Sequence, residues 1–279
     1  MSAGKFAGGL SLTISDTKPV QFFPAAPPTQ AAKFGFRFGD KGTHSSRTLM
    51  LAELGAALSA APDGADRAAY AAAIIEGNCL EKPTASTRRL SNQRLGELYA
   101  LDPFVVVFRV LRGLWDVDPK ARPLLAMLAA LARDPLFMAS AAPVLSQPAG
   151  IEIQRAPIRE ALRKLVGERM NDDTLDKVVR NVSSSWTQTG HLAGRTFKHR
   201  QRVSAPPTAV AFALWLGNAA GFRGEELLTT GWIAALDCTA TSARTLALDA
   251  KRIGLIDLRT AGDVVEFGLD RLDPGLGRK

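Results

Sequence analysis

The stretch Lys82–Leu101, "KPTASTRRLSNQRLGELYAL", joins two kinds of sequence end to end. The first half carries Pro83, Thr84, Ser86 and Thr87, then arginines set among Ser91, Asn92 and Gln93, and the second half is a leucine helix. At about 100° per residue, Leu90, Leu95, Leu98 and Leu101 share one arc. Ser86, Arg88, Arg89, Asn92 and Gln93 take the opposite arc, within the first turns. Guanidinium and carboxamide groups offer the paired donors and acceptors that match base edges in a major groove. Ser86 and Thr87 at a helix start suit a phosphate. A helix-turn-helix presents the start of its third helix in this way. Arg94 points into the leucine arc and is expected to pair with an acid or a backbone carbonyl. A solvated face also fits, but such faces usually mix charge signs, and Glu97 is the one carboxylate between Lys82 and Leu101.

Two helical patterns precede this stretch. "SSRTLMLAELGAALSAA" (45–61) has Ser45 or Ser46 as its cap, and "ADRAAYAAAIIEG" ends at Gly77. Residues 1–44 read as a flexible tail rich in Pro and Ala, with a possible short strand where Phe34, Phe36 and Phe38 alternate. Downstream, helices start at Pro103, Pro119 and Pro135, where a missing amide costs nothing. Pro148 and Gly150 break the pattern, so the boundaries expected are a helical domain over 45–148 and a second over 149–279. The second opens on an apparent strand, "IEIQ", then two helices, the later one capped by Asn171. A basic connector follows, then the nearly all-apolar "PPTAVAFALWLGNAAG" and two further helices. Ile256 and Leu258 alternate on one side of "TAGD", and Val265, Phe267 and Leu269 on the other, which predicts a hairpin turning at Gly262. Three helices and a hairpin in that order are a winged-helix-like arrangement, placed at about 206–272. DNA-binding modules and protein-docking modules share it. The fold class expected is therefore mainly α, with a helix-turn-helix and further helical segment, then the winged unit.

The chain carries a formal charge of +8, and its distribution is more informative than the total. Between Asp176 and Glu225 there is no carboxylate, while Lys177, Arg180, Arg195, Lys198, Arg200, Arg202 and Arg223 fall in the interval. The densest part is "RTFKHRQR" (195–202), with Phe197 and His199 interleaved. Either a solvated loop or a phosphate-binding segment fits, and the candidates are Arg195, Lys198, Arg200 and Arg202. Arg259, on the hairpin, is a further candidate for a backbone contact.

The residues of an enzyme are not evident. His44, His191 and His199 sit apart, with no ligand at metal spacing. There is no phosphate-binding glycine loop and no Gly-x-Ser-x-Gly elbow. Glu225–Glu226 at a helix start suits the helix dipole. Cys79 and Cys238 read as idle thiols of a reducing compartment. No stretch is long and apolar enough to span a bilayer and no secretory signal is evident, so a cytoplasmic protein without membrane, metal or cofactor is expected.

The order "NCLEKPTASTRRLSNQRLGELYALDP", "LLAMLAALARDPLFMASAAPVL" and "NVSSSWTQTGHLAGR" resembles BrxA-like proteins of the BREX phage-defence systems, over roughly residues 45–250. The resemblance implies a small, non-enzymatic, double-stranded DNA-binding component with a helix-turn-helix or winged part and a segment similar to the NusB fold. It also implies other subunits of a defence complex as partners. The N-terminal tail and the hairpin-ended C-terminus depart from the family pattern. Two other readings stay open. One is a scaffold whose winged helix docks partners, which calls for an exposed apolar patch around Trp215, Phe222 or Trp232. The other is an operon-specific transcriptional regulator, which calls for a dimer and a short palindromic site. RNA binding near Phe197 and Trp186 would need more exposed aromatics than this chain offers.

Overall fold

Local signals in the sequence set most of the helices. In the computed structural model, which describes residues 20–24, 29–62, 64–261 and 264–273, the chain is mainly helical with two small sheets. The N-terminal helices are α1 (Thr29–Lys33), α2 (Leu51–Ala60), α3 (Arg67–Ile75), α4 (Ala85–Tyr99) and α5 (Val106–Trp115). Next come α6 (Arg122–Arg133), α7 (Pro135–Ala139) and α8 (Ala141–Leu145). After the exposed loop at Gln147–Gly150 follow α9 (Arg155–Val166), α10 (Asp172–Gln188), α11 (Pro207–Ala220), α12 (Gly231–Ala234) and α13 (Ala240–Arg252). β1 (Leu192–Ala193) pairs with β2 (His199–Arg200), and β3 (Asp257–Ala261) with β4 (Val264–Gly268), both antiparallel.

Helix α4 starts where the polar run predicts. Thr84 is its N-cap and closes a reciprocal capping box with Thr87. Leu95, Leu98 and Leu101 are buried and Leu90 half-buried, with α4 packed on α3 and α6. Helices α6 and α11 are almost wholly buried and pack on each other and on α5. A single apolar cluster runs from Phe22 to Leu272, so burial continues across the loop at 148.

The described part of the tail belongs to this cluster. Phe22 and Phe23 set their rings edge-on to Trp232, and the Trp232 indole donates to the Phe22 carbonyl at 2.9 Å. Residues 1–19 of the expected tail lie outside the described residues. The strand expected at Phe34–Phe38 is absent, because α1 precedes an irregular segment there. Phe36 is buried and Arg37 N bonds Ala132 O at 3.0 Å. The helix expected from Ser45 begins at Leu51, after Met50 in a left-handed conformation (φ 53°). The segment before it is held otherwise, since Leu49 N donates to Ser185 Oγ (2.9 Å) and Tyr99 Oη to Leu49 O (2.6 Å). "IEIQ" contributes a bridge, Glu152 with His199, rather than a strand of its own. "GEELLTTGWIAALD" is a 3-10 turn (Gly224–Thr229) followed by the short α12. The hairpin forms with Leu258 opposite Phe267, while its expected turn residue, Gly262, lies outside the described residues. Trp215, Phe222 and Trp232 are buried, so they form no exposed apolar patch.

Candidate nucleic-acid interface

On α4 the expected face is smaller than its helical wheel. Thr87 is spent on the cap, since its hydroxyl donates to Thr84 O (2.8 Å) and accepts from Thr84 N (3.3 Å). Asn92 is also taken, because Arg67 reaches across from α3 to its Oδ1 at 2.8 Å. Gln93 is exposed but donates to Glu97 (3.0 Å). Arg88 is half-buried and its Nε has no partner. Ser86 and Arg89 remain exposed with no side-chain bond to another described residue. Arg94 pairs with Glu97 at 2.8 Å, which also accepts from Thr43 at 2.7 Å.

The basic connector divides in the same manner. Arg200, taken as a phosphate ligand, is 2% exposed and paired with Asp237. Asp237 also accepts from Val203 N (2.9 Å). A buried guanidinium needs a counter-charge, which Asp237 supplies, and its burial keeps Arg200 from the reach of a polyanion. Arg202 and Arg259 stay exposed, with Arg259 opposite Glu266 across the hairpin.

The other two members line a cleft of about 900 Å³. Arg195 and Lys198 reach it from the loop between β1 and β2, Arg155 from the start of α9, and Arg180 from α10. Ser183, Ser184 and Thr196 supply hydroxyls, and Glu152 is the one carboxylate in the lining. Arg155, Arg180 and Arg195 are exposed and make no side-chain hydrogen bond or ion pair with another described residue. Asp176 on α10, which lines a smaller pocket with Arg155 and Arg180, is engaged by Arg159 at 3.0 Å. Lys198 Nζ is held by Thr187 Oγ1 (2.8 Å) and Gly194 O (3.2 Å). Partial burial, and then the Arg155 charge, push this ammonium below its ordinary pKa. Helix α9 has no side-chain cap, so the open amides of its first turn add positive potential at the cleft. Unneutralised cations around hydroxyls and a helix start can bind phosphate oxygens. Sequence reading placed Arg180 in the acid-free interval without making it a candidate, and missed Arg155, which lies outside that interval.

A second arrangement, also invisible along the chain, lies in the core. His44 Nδ1 is 2.9 Å from Asp134 Oδ2, and His44 Nε2 is 2.9 Å from Ser185 Oγ. This is the hydrogen-bond order of a Ser-His-Asp triad. All three side chains are at most 1% exposed, however, and Ser185 Oγ already accepts from Leu49 N and faces Asn181 O in mid-helix. A sealed hydroxyl with that duty is a fastener. Asp134 accepts from the backbone of His44, Leu136 and Phe137 as well. Burial alone would raise its pKa, but the His44 charge and these hydrogen bonds hold it below the usual carboxylate range. Gly42 lies so close that a Cβ there would collide with the Asp134 carboxylate. His191 is a further buried polar anchor, bonded to Thr189 (2.8 Å) and Ala235 O (2.9 Å), its pKa lowered by burial to about 4.

Among the described residues, no group of three or more His, Cys, Asp or Glu side chains is placed to hold a metal, and no single helix is long and apolar enough to cross a membrane. A scan against protein-family models finds no match to this chain, and a search of curated proteins finds none either.

Proposed function

We propose that the chain is a non-enzymatic, double-stranded DNA-binding protein whose principal phosphate contacts lie in the cleft between α9, α10 and the β1–β2 loop. One observation carries this reading: four cations, Arg155, Arg180, Arg195 and Lys198, converge there with a single carboxylate in the lining. Arg89 and Ser86 on α4 are a second contact surface, and Arg202 an outlying one. The wider role, as an accessory component of a BREX-like phage-defence complex, rests on the resemblance over roughly residues 45–250. With about six phosphates neutralised, log affinity for long duplex DNA falls against log salt with a slope of roughly −5. A slope near zero in that titration removes the proposal. Preference for one short palindromic site, with a dimer, would move the reading to an operon-specific regulator.

A second reading has its own observation. In the winged-helix-like unit at about 206–272, Leu248 on the last helix and Ile253 just after it are exposed, while Arg244, Arg252 and Arg271 pair with acids of the same unit. A surface of that kind suits docking of partner subunits better than DNA. A pull-down with such subunits that survives Arg195→Glu but not Leu248→Asp would support a scaffold role for this unit.

A further inference from the structure

Phosphate binding explains the cations of the cleft but not its aromatic residue. Phe197, at the tip of the β1–β2 loop, is 65% exposed and lines the same cavity. The chain's other close ring pairs are packed, as with Phe22 on Trp232 at 4.9 Å, whereas Phe197 stacks on no described ring. Its position is enforced. Gly194 (φ 108°) turns the loop so tightly that a Cβ there would run into the Phe197 carbonyl. An exposed phenyl ring lining the same cleft as four cations is an apolar plate beside a candidate phosphate site, and every nucleobase has a face that fits one. The cavity, about 900 Å³, is of the size that encloses small ligands.

We propose that this cleft takes a single nucleotide unit, its phosphate on Arg155, Arg180, Arg195 and Lys198 and its base stacked on Phe197. The inference goes beyond the duplex-binding reading and shares with it only that this cleft is a phosphate site. It adds a requirement the duplex cannot meet, because base faces inside a duplex are already stacked. The ligand is therefore a free nucleotide or a nucleotide at an unpaired strand end. Inorganic phosphate offers the charge without the plate.

Calorimetric titration of the full chain with sodium phosphate, adenosine 5′-monophosphate, a 5′-phosphorylated oligothymidylate and a blunt duplex tests this. The mononucleotide binds about tenfold tighter than phosphate, and Phe197→Ala removes that advantage without changing phosphate affinity. Arg180→Glu weakens both. Phe197 and Arg180 are exposed, so neither variant removes core packing. Equal binding of phosphate and mononucleotide overturns the stacking assignment, as does the absence of binding by mononucleotide and oligothymidylate alike. Duplex binding with no response to either single-stranded probe overturns this inference and leaves the DNA reading standing. Binding of either probe with no response to the duplex does the reverse. A tighter oligothymidylate places the unit at a strand end, and a tighter mononucleotide makes it a free ligand.

Discussion

The Phe197 cleft and the C-terminal hairpin unit are both rich in arginine, yet they treat it in opposite ways. In the hairpin unit Arg244 pairs with Glu225, Arg252 with Asp249 (2.6 Å) and Arg271 with Asp257 (2.9 Å). Lys251 and Arg223 are bonded to backbone carbonyls. In the cleft three arginines have no such partner. Exposed pairs of this kind contribute little stability, so the difference is one of field: the hairpin unit cancels most of its own charge, with Arg259 left exposed, and the cleft leaves three arginines without a counter-charge. A count of basic residues cannot separate the two, but the placement of acids does.

The largest expected effect tests where that line is drawn. Arg200 belongs by sequence to the cleft segment but by structure to the self-neutralised class, buried against Asp237. Asp237→Ala leaves a buried guanidinium unpaired and is expected to cost about 3–5 kcal/mol in urea unfolding. If Arg200 were instead a free cation, the variant would keep its stability and bind DNA more tightly. The next effect is pH-dependent and comes from the neighbouring His191, which faces Arg200 and Asp237. Its folded pKa, about 4, lies below the 6.5 of an unperturbed histidine, so the unfolded chain binds more protons between the two. Stability is then full above about 6.5 and is lost as pH falls toward 4, by about 3 kcal/mol. Asp134, with its lowered pKa, adds loss at the acid end. Unfolding curves across that range should flatten in His191→Gln, and an equally steep loss in that variant would remove His191 as the source.

A smaller effect addresses the comparison directly. Arg195→Glu in the cleft should weaken duplex binding about tenfold at moderate salt and flatten the salt slope by about one unit. Arg252→Glu, in the hairpin unit, should leave both unchanged. Equal losses from the two variants would mean that net charge alone holds the DNA, and the distinction between the surfaces would fail.

The helices were legible because their signals are local. Asn171 caps α10 and Pro135 opens α7, as expected, and Pro119 opens a 3-10 turn that leads into α6. The register of α4 also followed from leucine spacing. What could not be read was long-range. Leu49, in the non-helical segment that ends at Met50, is bonded by Ser185 and Tyr99, both far along the chain. The candidate site failed for the same reason in both directions. Arg200 looked available until Asp237 was brought to it, and Arg155 looked ordinary, with Arg180 only one base of an acid-free interval, until three elements met. Periodicity assigns a face to a residue; it does not say which residue arrives to occupy that face.

Helix α4 provides the last and finest division, within one arc of a single helix. Arg89 is exposed without a partner, whereas Asn92, one turn on, is held by Arg67. If satisfied groups serve the fold and unsatisfied ones serve a ligand, the two should respond in different assays. Asn92→Ala strands the Arg67 guanidinium and should lower stability by about 1 kcal/mol with duplex affinity unchanged. Arg89→Ala should leave the unfolding midpoint alone and weaken duplex binding about threefold, the effect of one phosphate contact at a surface. If Asn92→Ala instead loses affinity at unchanged stability, Arg67 yields the amide to DNA on binding, and the helix start is the groove-reading face that its polar arc resembles.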